Sequence, residues 1–156
     1  MNILSLDQAS TTGWAYYDEK IIDFGIIVSN KSTNYDARIS FIKDEMIKLI
    51  EKYSPTLVTF EGVQYERNQN AYHKLSKLQG VLINHCIEHD ILFEIIPSTK
   101  WRGALGIKGK NRDAKKACAI EYIKENYEIE TNADIAEAIC MAIYAKENIK
   151  IITTKE

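Results

Sequence analysis

Ile3-Leu4-Ser5-Leu6-Asp7 is a short apolar run closed by a carboxylate, and it reads as the central strand of a sheet. Leu57-Val58-Thr59-Phe60-Glu61 repeats that form, a strand buried on both faces with an acid at its end. Between them, Gly13-Trp14-Ala15-Tyr16-Tyr17 and the run 21–28 read as two more strands. Asp18-Glu19-Lys20 joins these two as a hairpin, with Gly25 marking a bulge. Ile39, Ile42, Met46, Leu49, Ile50 and Tyr53 recur at spacings of three and four, which predicts a helix over 36–53 that Ser54-Pro55 stops.

Working outward, residues 62–70 read as a mobile loop, and a helix over 71–89 places Leu75, Leu78, Leu82 and Cys86 on one side. A fifth strand over 92–96 ends at Pro97. Gly103, Gly106 and Gly109 predict a loop over 98–111 that bends sharply or approaches something closely. Helices over 112–127 and 133–147 complete the order βββαβαβαα. That order implies one α/β domain over 1–156, a mixed sheet with helices on its faces.

The last helix carries the strongest chemical signal. Ile135, Ala136, Ala138, Ile139, Cys140, Met141, Ala142 and Ile143 make it apolar on most sides, yet Asp134 and Glu137 interrupt it three residues apart, on one face. Two carboxylates in such surroundings repel, and burial favours their protonation unless a cation neutralises them. With Asp7 and Glu61 at two strand ends, the four acids form a cage for a divalent metal, the equipment of an enzyme that cuts phosphodiesters. Singly, each acid has a plainer explanation. Asp7 could begin a turn, Glu61 could be an exposed strand end, and Thr131-Asn132-Ala133-Asp134 fits a capping box.

Bulk properties agree with a globular protein: 46% hydrophobic and 27% charged residues, with no apolar run of the roughly 20 residues needed to span a bilayer. The chain starts directly into a strand, and Cys86, Cys118 and Cys140 have no zinc or disulfide spacing, so reduced core thiols and a cytoplasmic location are expected. The net charge of −2 does not describe the whole chain evenly. Residues 97–120 hold Lys100, Arg102, Lys108, Lys110, Arg112, Lys115 and Lys116 against Asp113 alone. That block is a compact footprint for phosphate, or else a solvated loop.

These residues carry a resemblance. The chain resembles the RuvC family of Holliday-junction resolvases within the RNase H-like superfamily, and most closely the bacteriophage-type members. The likeness covers about 1–147. It rests on Leu4-Ser5-Leu6-Asp7 with Thr12-Gly13-Trp14, on Thr59-Phe60-Glu61, and on Asp134-Ile135-Ala136-Glu137-Ala138. It implies an RNase H-like five-stranded mixed sheet, its first three strands antiparallel, flanked by helices. It further implies that Asp7, Glu61, Asp134 and Glu137 hold two Mg2+ ions, with Mn2+ able to substitute. One ion would activate the attacking water and the other would stabilise the departing 3′ oxygen, leaving nicks with 5′-phosphate and 3′-hydroxyl ends. The partners implied are branched DNA, above all four-way junctions, and a second copy in a homodimer whose interface is the helix 71–89. Tyr72, Leu75, Leu78 and Leu82 of that helix also fit a plain core.

The chain departs from the family pattern in three places. Glu137 stands where many members have Asp, Gln64 stands at the position of a stacking aromatic that Tyr65 would supply one residue later, and the glycine loop is one residue longer. Family lysines near the site match Lys100, with Lys110 or Arg112 as the second; Tyr65, Arg102, Lys108 and Lys115 join them as expected DNA contacts. Other readings of the same chain are an RNase H-like enzyme on RNA–DNA hybrids, a non-catalytic junction-binding protein, and an actin-like phosphotransferase or ATPase, whose phosphate loop residues 7–13 vaguely resemble. The last needs two such domains and has no use for Asp134 and Glu137.

Overall fold

The computed structural model of the chain describes residues 1–151. Strands β1 (Asn2–Asp7), β2 (Thr11–Asp18), β3 (Lys20–Val28), β4 (Leu57–Glu61) and β5 (Phe93–Ile96) form one sheet in the order β3-β2-β1-β4-β5. β1, β2 and β3 pair antiparallel, whereas β1–β4 and β4–β5 are parallel. The antiparallel pair β2–β3 closes through a tight turn in which Glu19 takes a left-handed φ of 59°. The parallel strands need crossovers, supplied by α1 (Tyr35–Tyr53) and α2 (Gln69–Glu88). Then follow α3 (Ser98–Leu105), α4 (Arg112–Tyr127) and α5 (Ala133–Asn148). This is the mixed α/β sheet the sequence predicts, with β1 at its centre.

Strand residues alternate between the two faces of the sheet. Leu4, Leu6, Ile27, Val58 and Phe60 pack with Ile39, Ile42 and Met46 of α1 and with Leu78, Leu82 and Cys86 of α2. Ile3, Ala15 and Leu57 turn the other way, toward α5, Trp101, Ala119 and Ile123. By the same alternation Ser5, Asp7, Thr59 and Glu61 fall on the α5 face. Small side chains let α5 lie close: it offers Ala136, Ala138, Ala142 and Ala145, and the sheet offers Ser5, Gly13 and Ala15. A Cβ added at Gly13 would sit 1.9 Å from the Asp134 carbonyl oxygen, so only glycine fits there. The buried Thr59 hydroxyl donates to Ser5 Oγ at 2.9 Å, which satisfies both polar groups under the helix.

Several expectations need correction. The predicted loop over 98–111 is helical in its first half, because Trp101 is fully buried and anchors α3, while Gly106, at φ 71°, closes it rather than opening a longer loop. Gly25 does not mark the bulge, which falls at Tyr16/Tyr17; it makes room for the Trp14 indole, 3.0 Å from where a Cβ would lie. The cap of α5 is Asn132, whose Oδ1 accepts from the Ile135 N–H at 3.0 Å, and not Thr131. Leu78 and Leu82 of α2 are core, with no exposed surface to offer a partner. The cysteines are free; burial pushes Cys86 up to about 11 and Cys140 up to about 12, and Cys118 is half-buried.

Candidate active site

β1 and β4 run parallel with Leu6 opposite Phe60, so Asp7 and Glu61 end neighbouring strands at the same edge of the sheet. Gly13 lies opposite Asp7 across the antiparallel pair, and the Gly13 contact seats the first turn of α5 over it. That turn carries Asp134, and Glu137 follows one turn on. Carboxylate oxygens of Asp7, Asp134 and Glu137 come within 4.8 Å of one another. Glu61 ends the neighbouring strand and faces the same cleft as Asp7 and Asp134, close enough for its charge to act on Asp7. The four predicted acids thus converge.

Two amides, one buried and one half-buried, hold the backbone of Glu61. Gln8 Nε2 donates to the Glu61 carbonyl at 2.6 Å, and the Glu61 N–H donates back to Gln8 Oε1 at 3.1 Å. Gln79 of α2 donates to the same carbonyl at 2.7 Å. Neither glutamine emerges from the sequence reading. A polar residue directly after a strand-end acid, and another between Leu78 and Leu82 on an apolar helix face, are the signals that mark them.

The electrostatics are those of crowded, dehydrated acids. Burial first, then Glu61, Glu137 and Asp134, push the Asp7 carboxyl well above the usual carboxylate range. Burial and then Glu137 raise Glu61 to about 7, against the opposing pull of Arg102 and Arg112. Part of the negative charge is met locally. Arg102 Nη2 bonds Glu137 Oε1 at 2.8 Å with both side chains largely buried, and Lys116 Nζ lies 3.8 Å from Asp134 Oδ1. The helix N-terminus adds a favourable dipole at Asp134. The donors are all hard oxygens, and their spacing fits the shell of a hard divalent cation, whose ligands lie about 2.0–2.6 Å from the ion.

Asp7, Glu61 and Asp134 line a cleft of about 480 Å³ together with Arg102, Arg112, Lys115, Gln64 and Tyr72, while Glu137 is buried behind them. Of the expected DNA contacts, Arg112 and Lys115 therefore face the acids directly. Arg102 is committed to Glu137. Lys100, Lys108 and Lys110 are exposed on α3 and the segment before α4, outside the cleft lining. Tyr65 is 66% exposed and meets Tyr72 edge-on at 5.5 Å, and it is Gln64 that reaches the cleft. His73, His85 and His89 line no part of it.

Comparison with known proteins places the chain in a family. The protein named crossover junction endodeoxyribonuclease RuvC from Finegoldia magna is 26% identical over 150 residues, covering 92% of this chain and 91% of that one. Its namesake from Fusobacterium nucleatum is 23% identical over 153 residues, covering 92% and 78%. Among solved structures, T. thermophilus RuvC in complex with Holliday junction substrate shares the fold with a TM-score of 0.76 at 11% identity, covering 94% of this chain and 92% of that one. The Fowlpox virus resolvase bound to its substrate Holliday junction DNA gives 0.66 at 17%, covering 96% and 100%. The family model described as crossover junction endodeoxyribonuclease RuvC matches residues 14–145, taking in Glu61, Asp134 and Glu137, while Asp7 lies just before it. So long a match decides the matter: the chain belongs to the RuvC family of crossover junction endodeoxyribonucleases.

Proposed function

We propose that this protein is a magnesium-dependent endonuclease that resolves Holliday junctions by paired nicks and also cuts other branched DNA. The observation that carries the reading is the meeting of Asp7, Asp134 and Glu137 within 4.8 Å, beside Glu61, in a cleft walled by Arg112 and Lys115. Asp7, Glu61, Asp134 and Glu137 would hold two Mg2+ ions, with Mn2+ as a substitute. When bound, such ions supply an activated water and a stabilised departing 3′ oxygen. Arg112 and Lys115 hold the phosphate beside the acids. Lys100, Lys108 and Lys110 take phosphates of the flanking arms, so recognition follows backbone shape more than base sequence. Tyr65 is placed to stack on an unpaired base, an interaction worth ~1–3 kcal/mol.

The enzyme acts as a homodimer, which matches two symmetric cuts. Support comes from the outer face of α2, where Ile87 is 62% exposed and a Cβ at Gly80 would meet nothing within 4 Å, leaving room for a second helix. The compartment is the cytoplasm, that of a bacterial host cell if a bacteriophage encodes the protein. The experiment is cleavage of a synthetic four-way junction, a flap, an RNA–DNA hybrid and a linear duplex, with magnesium and then with EDTA. Symmetric, ligatable nicks in the junction with magnesium alone are expected. Cleavage confined to the hybrid would overturn the reading.

A further inference from the structure

Among the described residues, Arg102 is the cation that enters the acid cluster with a direct hydrogen bond, and the proposed cleavage chemistry leaves it without a role. Its guanidinium lies over the Trp101 ring at 4.8 Å, and Trp101 is fully buried, so the stem is held from below. Nη2 bonds Glu137 Oε1 at 2.8 Å. Nε is buried and has no partner among the described residues. A guanidinium that spends one donor on a carboxylate and buries another unsatisfied is incompletely matched to its site. Glu137 in turn is only 4% exposed and would be an uncompensated buried charge without it.

We infer that Arg102 is a positioning residue that stands in for a cation: it holds Glu137 in place while the cluster lacks metal and competes with metal for that carboxylate. This rests on the two-metal reading above. A positive charge already seated on one ligand repels an incoming divalent ion, so the arrangement trades metal affinity for order in the empty state. Once Glu137 turns to the metal, the guanidinium has donors free for a phosphate in the same cleft, where Arg102 already forms part of the wall.

The test compares wild type with Arg102→Met, which keeps the stem over Trp101 and removes the charge, and with Arg102→Lys, which keeps the charge. Calorimetric titration with Mn2+ should show Arg102→Met binding tighter by about three- to tenfold, with Arg102→Lys close to wild type. The metal-free melting midpoint of Arg102→Met should fall, and saturating Mn2+ should close the gap. In a Glu137→Gln background the same substitution should cost little, a readout that remains if Arg102→Met alone does not fold. Unchanged or weaker Mn2+ binding in Arg102→Met, or an equal stability loss with Glu137→Gln present, would overturn the inference while leaving the nuclease reading intact. A wild type on which Mn2+ has no effect would remove both.

Discussion

The two faces of the sheet are built on opposite principles. The face under α1 and α2 is filled with large aliphatic and aromatic side chains, Leu4, Leu6, Val58, Phe60, Ile42, Met46, Leu78 and Leu82, and among the described residues it holds no buried charge. The face under α5 uses small residues, admits the Ser5–Thr59 hydroxyl pair, and at its edge gathers four acids with Arg102 and Lys116. The first face only stabilises, whereas the second carries core and site together, Trp101, Ile123 and Ile139 among its buried residues, and at its acid edge dehydrated like charges oppose folding. The lesson is that a single sheet can keep the two duties apart because alternate residues of the same strand serve each.

The sharpest way to break this contrast is Asp7→Asn. Cleavage of a four-way junction should fall by about 10³-fold or more, near 4 kcal/mol of transition-state stabilisation. Junction binding in a mobility-shift assay should persist, and the metal-free melting midpoint should rise, because a strained acid has been neutralised. Wild-type nicking by the purified variant would show the site to be misassigned. Gly13→Ala comes next. Its Cβ would collide with the backbone of Asp134, so a destabilisation of about 3 kcal/mol is expected in denaturant unfolding, together with loss of the metal-induced rise in melting midpoint. A Gly13→Ala protein that melts like wild type would mean that α5 is not held against β2 as described.

On the other face, Leu82→Ala should cost about 2–5 kcal/mol in stability yet leave cleavage per folded molecule unchanged at low temperature. A drop in cleavage larger than the loss of folded protein would show that the faces are not separate. Smaller still is the effect of pH. Folded Glu61 titrates at about 7 against an ordinary 4.5, so between these values the folded chain keeps a proton that the unfolded chain has lost. Metal-free stability should therefore fall as pH rises through that window, and Glu61→Gln should flatten the profile. Gly80→Ala should give the smallest change, a gain of about 0.5–1 kcal/mol in helix stability, since the added methyl meets only open space. If it instead weakens junction cleavage at low protein concentration, the outer face of α2 is a pairing surface.

Much of this design was legible in the chain because it rests on periodicity. Strand-end acids, the apolar helix with Asp134 and Glu137, and the order of elements all follow from spacings of two, three and four. The first half of 98–111 misled because three glycines outweighed one tryptophan; burial of Trp101 decides the helix, and burial is a tertiary fact. Gln8 and Gln79 stayed hidden because amides that tie down a backbone leave no pattern of their own. Arg102 looked like one more member of a basic block, and only packing on Trp101 separates it from Lys108 or Lys110.

The Gln8 amide completes one further rung beyond the last regular β1–β4 pair, which bears on the choice of ion. A donor anchored this way cannot drift outward to suit a larger radius. Calcium, with oxygen contacts of about 2.3–2.6 Å against about 2.0–2.1 Å for magnesium, would have to be accommodated elsewhere. Glu137, tied through its side chain to Arg102 and not by an amide on its backbone carbonyl, is where such tolerance would reside, so discrimination between the two cations becomes a property of stiffness rather than of charge.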